Sequence, residues 1–383
     1  MFDTAADDRL HYTAGHDEDI NIEVDDDARS TASLPPFSPA PSELGSTRTS
    51  HEIDTVSMRS CSPTPSVWSV TSSLRAQAYK HEYGRGLNNY SEVYRLPADD
   101  EELDRLNKQH LIFMEAMNGK YAPPMEEIMA DDVPGERKAC LDLGCGSGCW
   151  IMDVARDFPN CDAVAVDLVP MQSLLMPPNC RSEVDDINLG LEHFYGDFNV
   201  VHARLISSGI KDYAGLIDHI SKVLRPGGMI DLSEFDFHAY DQNYQRIELG
   251  IHEIGPPWWP RWLAFANAAA RNLGGNVDAA THLYDWVANH PAFEEVIYRE
   301  FWLPGSPWIK GDAFQQRIGN GMRDDIFAFM KSGRPLLLGN GLQEHVLDQI
   351  EREAMKELQE AKIPSWIRLQ CVYGRKKGIH STS

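Results

Sequence analysis

Over the first 74 residues apolar positions recur at neither helical nor strand spacing. Acidic clusters at Asp17–Asp19 and Asp25–Asp27 give way to a stretch rich in Ser, Thr and Pro that includes Leu34–Pro39 and Ser60–Ser66. Such composition buries too little apolar area to offset chain entropy, so a disordered tail is expected over 1–74. The pattern changes near Arg75. Leu103, Leu106, His110, Phe113 and Met117 recur at helical spacing behind a cap at Asp99 or Asp100, and Gly119 and Pro123-Pro124 end the run. An N-terminal helical segment is expected over 75–135.

After Val133-Pro-Gly135, the short apolar run Ala139–Leu143 has the character of a buried parallel strand. Helix and strand signals then alternate. They predict a helix over Cys149–Asp157, strands over Ala163–Asp167, up to Val184 and over Phe198–Leu205, a helix over Tyr213–Leu224 and a strand over Met229–Glu234. Strands separated by helices at this interval require right-handed crossovers and a mainly parallel sheet, hence a doubly wound α/β domain over 136–376. An aromatic, mostly helical insertion is expected over about 238–295, containing Trp258, Trp259 and Trp262, which could wall an aromatic acceptor site but on a helix are more often core. A strand over Val296–Leu303, a helix marked by Leu347, Ile350, Ala354, Leu358 and Ala361, and a strand over Trp366–Tyr373 complete the pattern.

The first of these strands runs into Leu141-Asp-Leu-Gly-Cys-Gly-Ser-Gly148 and then a helix. Glycines remove Cβ atoms where a ligand must approach backbone, and amides at a helix start are left unpaired. Asp142, Gly144, Cys145, Gly146 and Gly148 are therefore candidate binding residues. A dinucleotide fingerprint requires Gly-x-Gly-x-x-Gly, and counted from Gly144 its third glycine would fall on Cys149, which disfavours NAD and FAD. Asp167 ends the next strand about twenty residues on, followed by Leu168; a carboxylate there can accept both hydroxyls of an adenosine ribose. Asp186 and Ile187 follow the third strand, and Pro226-Gly-Gly228 fixes a turn ahead of the fifth.

In this order, the glycine loop, Asp167, Asp186 and the Leu224-Arg-Pro-Gly-Gly turn resemble class I S-adenosylmethionine-dependent methyltransferases. Tyr83–Tyr90, Val93–His110 and Phe198–Arg204 narrow the resemblance to the fungal LaeA-like methyltransferases, associated with secondary metabolism. The resemblance covers about Tyr79 to Lys376, and the long insertion around Trp258 departs from it. It implies a Rossmann-like seven-stranded sheet with helices on both faces and S-adenosyl-L-methionine as cofactor. Asp186 would meet the adenine amino group, the Ile187 backbone its ring, and Asp142 the methionine ammonium; Gln109 and His110 would close the pocket.

Methyl transfer from a sulfonium is an in-line displacement, so alignment and removal of an acceptor proton matter more than a protein nucleophile. His202 and Arg204, at the end of the fourth strand, are first-choice pocket residues, with His202 a cofactor contact or base; His238 is an alternative base. No metal is expected: Cys145 and Cys149 lack a second Cys/His pair. A formal charge of −23 over 383 residues, with no basic patch, argues against a nucleic-acid partner and for a small-molecule or protein acceptor. No apolar run reaches membrane-spanning length and no secretory pattern opens the chain. Seven cysteines without paired spacing fit an intracellular, cytoplasmic or nuclear, setting. The rival class is a regulatory protein that keeps cofactor binding but acts through partners held by its acidic Ser/Pro-rich tail.

Overall fold

Near-continuous burial along the central strands, covered on both faces, sets the architecture of the computed structural model, which describes residues 76–171 and 175–378. The tail expected over 1–74 lies outside those residues. Two short strands, β1 (Tyr79–Glu82) and β2 (Arg85–Asn88), form an antiparallel hairpin ahead of helix α1 (Asp100–Met117). The segment 75–135 is thus only partly helical: Tyr83 and Gly84 both adopt positive φ and reverse the chain between β1 and β2. α1 is capped by Asp99, whose Oδ1 accepts from the Glu102 amide at 3.2 Å, and ends at Asn118 in the left-handed region rather than at Gly119.

Asp99 also grips the hairpin. Its two oxygens accept from Arg85 Nε and Nη2 at 2.8 Å each, and Oδ2 accepts from the Gly86 amide at 3.0 Å. Burial raises its pKa, but the Arg85 and backbone hydrogen bonds outweigh that and hold it below the usual carboxylate range. Asp99→Ala removes a helix cap and an ion pair together and is expected to lower the unfolding free energy by about 2 kcal/mol in urea titration. An unchanged midpoint would show that the clamp contributes nothing.

After the short helix α2 (Met125–Ile128) come β3 (Lys138–Leu143), α3 (Cys149–Asp157), β4 (Cys161–Asp167), β5 (Cys180–Val184), β6 (Phe198–Arg204), α4 (Tyr213–Val223) and β7 (Leu224–Tyr240). The remainder is α5 (Trp258–Asn272), α6 (Ala279–Ala288), β8 (Phe293–Pro304), α7 (Ala313–Gly339), α8 (Glu344–Glu360) and β9 (Trp366–Lys376). Seven strands pair in the order β5-β4-β3-β6-β7-β9-β8. β9 runs antiparallel to both neighbours and the other pairs are parallel. This is the mixed seven-stranded sheet of the class I methyltransferase fold. β7 begins earlier than expected: Leu224 pairs with Phe198 and Met229 with Val200, so Pro226-Gly-Gly228 bulges out of a strand rather than preceding one.

Pleating sends alternate side chains to two cores. Leu141 and Leu143, both fully buried, pack with Leu216 and Ile220 of α4 and Leu283 of α6. Cys140, Ala163 and Val200 point the other way, against Ile151 and Val154 of α3. Each Leu, Ile or Val among them contributes roughly 1.5–3 kcal/mol by burial. A third core lies over the β7-β9-β8 half, where α5, α7 and α8 meet through Trp259, Trp262, Phe329, Leu347 and Ile350. No helix among the described residues is long and apolar enough to cross a membrane.

Candidate active site

The parallel strands β3, β4 and β6 end along one edge, and a cavity of about 170 Å³ runs along it. Its floor is the loop from β3 to α3. Gly144 and Gly146 hold φ of +69° and +55°, and a Cβ on them would lie 2.5 Å from Ile206 Cγ2 and 2.8 Å from Leu106 Cδ1. Only glycine allows both that backbone and that closeness. The loop is tied to β4: the Gly144 and Cys145 amides donate to the Val166 carbonyl at 2.8 and 3.0 Å, and the Gly146 amide donates to Asp167 Oδ2 at 2.8 Å. Gly144, Cys145 and Gly146 line the cavity; Gly148 does not. It caps α3 in the left-handed region, and a Cβ there would run into the Met171 sulfur.

Asp167 and Leu168 stand at the β4 end of the cavity, with Asp186 and Ile187 beyond. Burial pushes the Asp167 carboxyl up to about 6 against the pull of amide donors from Gly146, Val169 and Leu168. Asp186 caps the short turn Ile187–Leu189, its Oδ1 accepting from the Asn188 amide at 3.0 Å and from Asn188 Nδ2 at 2.9 Å. Asn188 Nδ2 also reaches the Gly209 carbonyl at 2.9 Å, which fixes this wall to the loop after β6.

In the middle of the edge, Asp142 is buried with its Oδ1 2.8 Å from His202 Nδ1. The His202 ring stacks on Trp150 at 3.7 Å between centroids and 8° between planes. One ring nitrogen is therefore committed to Asp142 and the ring face to the indole. Arg204 lines the same wall, with Nη2 3.1 Å from His110 Nδ1, while His110 Nε2 lies 3.3 Å from Asp153. Among the described residues no carboxylate lies within 4.0 Å of the Arg204 guanidinium, and burial lowers its pKa despite Asp142 nearby. His238 is not among the lining residues. On β7 it is Phe235 and Phe237 that face the cavity, whereas the His238 ring is hydrogen-bonded to Arg246 and 3.4 Å from Asn267 Nδ2; burial then Arg246 push it down to about 4. The irregular register between Phe235 and Ala239, with Phe237 at positive φ, thus leaves this candidate base turned away.

The cavity continues past β6 into a second half of which the sequence indicated only Trp259; Trp258 and Trp262 do not line it. Phe235 and Phe237 of β7, Leu303 of β8, Ile367 and Leu369 of β9 and Trp259 of α5 wall it. Met322, Asp325, Ile326 and Phe329 of α7 close it. The helical spacing of these last residues was the available signal, obscured by Gly319, Gly321 and Gly333-Arg-Pro335 within the same stretch. Asp325 is buried and accepts from Arg105 Nη1 at 2.9 Å and Gln109 Nε2 at 3.0 Å. Arg105 is itself paired with Glu102, and Glu102 is hydrogen-bonded to Ser332. Gln109 thus faces the cavity as α1 crosses it; His110, also buried, stands behind Arg204.

Glu234, at the edge of this region, accepts from the Ile206 and Ser207 amides at 2.8 and 3.0 Å and from Tyr213 Oη at 3.1 Å. Its Oε2 is buried with no hydrogen-bond partner among the described residues. Burial outweighs those donors and raises its pKa from 4.5 to about 7. A raised carboxyl favours the fold when protonated, so this contribution is complete below pH 4.5 and is lost as pH rises through about 7. The thermal midpoint is expected to fall from pH 5 to pH 8, and Glu234→Gln to flatten that fall. Equal slopes for both chains would remove Glu234 as its source.

Among the described residues no group of three or more His, Cys, Asp or Glu is arranged to hold a metal ion. A family described as "Methyltransferase domain" matches residues 113–289. The chain is 50% identical over 299 residues to the "Secondary metabolism regulator laeA" of Coprinopsis cinerea, covering 78% of this chain and 74% of that protein. It is 28% identical over 262 residues to "Methyltransferase pytC" of Aspergillus terreus, covering 67% and 74%. A solved structure described as a putative sarcosine dimethylglycine methyltransferase from Galdieria sulphuraria aligns at 8% identity and a TM-score of 0.41, over 76% of this chain and 95% of that one. With half of its positions shared over most of both chains, the protein belongs to the LaeA-like family of S-adenosylmethionine-dependent methyltransferases.

Proposed function

We propose that the chain moves a methyl group from S-adenosylmethionine to a small molecule of the secondary-metabolite kind or to a protein side chain, with the cofactor along the β5-β4-β3-β6 edge. One observation carries the reading: a glycine floor that a Cβ would obstruct lies beside a half-buried carboxylate at a strand end, in one cavity. In this reading Asp167 accepts the ribose hydroxyls, Leu168 and Ile187 flank the adenine, and Asp186 meets its amino group. The backbone of Gly144, Cys145 and Gly146 lies against the methionine portion, whose ammonium faces Asp142. The Arg204 cation, without a carboxylate of its own among the described residues, suits the methionine carboxylate.

The bound cofactor supplies an electrophilic methyl carbon on a sulfonium. The chain's own task is alignment and exclusion of water. His202 acts here by holding Asp142 in place, since its Nδ1 is occupied by that contact. The six cysteines described are free, which supports an intracellular setting, cytoplasmic or nuclear. Calorimetric titration of the purified chain is expected to give heat with S-adenosylmethionine and none with NAD; the reverse would overturn the assignment.

The name of the Coprinopsis cinerea relative, a secondary metabolism regulator, favours a second reading, in which the cofactor is bound but the output runs through partners of the 1–74 tail. Incubation with methyl-labelled donor and an extract of the source cells separates the two. Label in a metabolite or protein fraction supports catalysis, and donor binding without label supports the regulatory reading.

A further inference from the structure

The half of the cavity beyond β6 has chemistry of its own. Six of its wall residues, Trp259, Leu263, Leu303, Met322, Ile326 and Leu369, are each at most 3% exposed, so the space is set deep in the third core rather than on a surface. The residues beneath belong to a sheet face, with Phe235 paired to Leu369 and Leu303 to Ile367, whereas the sheet's free edge on this side is the outer side of β8. Peptide recognition by strand addition needs such an edge. The walls are aromatic and aliphatic, and a cationic side chain from a protein would lose its hydration against them at large cost.

One polar feature interrupts this lining. Asp325 sits 7% exposed among the apolar residues, hydrogen-bonded to Arg105 and Gln109, which border the cavity beside it. With Glu102 it makes two carboxylates around one guanidinium, a formal charge of −1 within the cluster. A buried negative group with two donors on one side favours a hydrogen-bond donor on the other.

We infer that this chamber is the acceptor site, and that the acceptor is a small, mainly apolar molecule of aromatic character carrying one hydrogen-bond-donating group that meets Asp325. The inference rests on the cofactor reading above only for its word "acceptor"; the ligand class follows from the walls. Such a molecule buries its rings against Phe235, Phe237, Trp259 and Phe329 while its one donor is satisfied, as in other sites that combine an apolar cavity with a few convergent polar groups.

N-phenyl-1-naphthylamine, a neutral two-ring amine that fluoresces on leaving water, is the probe. Titrated against the full chain it is expected to bind saturably at one site. Ile326→Trp, which fills the chamber, should weaken it at least tenfold while S-adenosylmethionine affinity stays within about twofold. Asp325→Asn should weaken it several-fold. If Ile326→Trp does not give the parent circular-dichroism spectrum, Leu263→Phe takes its place. Equal probe affinity in the parent and filled chains, or displacement of the probe by a lysine-containing basic peptide, overturns the proposal. Cofactor heat without saturable probe binding sinks the chamber alone. Probe binding without cofactor heat sinks the cofactor reading and leaves the chamber as an apolar ligand site.

Discussion

Replacing Asp167 with Ala is expected to weaken S-adenosylmethionine binding by about two orders of magnitude. Charge-assisted hydrogen bonds contribute about 1.5–3 kcal/mol each, and two ribose hydroxyls are lost, partly replaced by water; a net of about 3 kcal/mol is a factor of about 100 in affinity. The same substitution leaves the Gly146 amide without its 2.8 Å acceptor and so loosens the glycine floor. The carboxylate is the form that accepts both hydroxyls, and burial pushes its pKa up to about 6 in the ligand-free chain. Donor affinity should therefore drop about tenfold for each pH unit below about 6, and Asp167→Asn should abolish that slope. Calorimetry between pH 5 and pH 8 reads both effects. Affinity within threefold of the parent for Asp167→Ala would remove Asp167 from the ribose.

The largest expected loss of stability comes from Arg105→Met. Arg105 is the only cation in contact with Glu102 and Asp325 among the described residues, and all three are at least nine-tenths buried. Asp325 is raised by burial and drawn back by Arg105, so without the guanidinium two carboxylates face each other in an apolar core. Breaking one partner out of a buried ion cluster costs about 3–5 kcal/mol. Because the cluster joins α1 to α7, the loss should appear both in urea unfolding and as weaker protection of α1 amides from exchange. The triple replacement of Glu102, Arg105 and Asp325 by apolar residues of similar volume should recover much of the stability, since neither carboxylate is then left buried and unpaired. A loss below about 1 kcal/mol for Arg105→Met would mean that water reaches the cluster and screens it.

That Gly144, Gly146, Asp167 and Asp186 come together in one cavity was legible in the sequence because their placement is local. Each lies at a strand end or within a few residues of one, and parallel strands bring those ends to one edge. Of the other half of the cavity only Trp259 was, since its walls come from β7, β8, β9, α5 and α7, which approach only through tertiary packing. α7 hid behind its own punctuation. Gly319 sits where a Cβ would meet the Ser306 carbonyl oxygen at 2.6 Å, and Gly333 where one would meet the Trp262 ring at 2.5 Å. In sequence these glycines read as breaks; in the fold they are points of close approach within a continuous helix that also tolerates Pro335. His238 was misread for a related reason. Proximity in sequence to a strand end does not fix which face a residue takes, and the register between Phe235 and Ala239 is irregular.

Leu106 lies so close to Gly146 that even one added carbon there would touch it, while Gln109 and Phe113 from the next turns border the same space. A ligand resting on that floor is therefore roofed by α1, and α1 is bolted to α7 by the ion cluster. Under saturating substrates, the slow event in each cycle is then expected to be the lifting of this roof to release spent donor, so solvent viscosity should govern throughput more than acceptor nucleophilicity does.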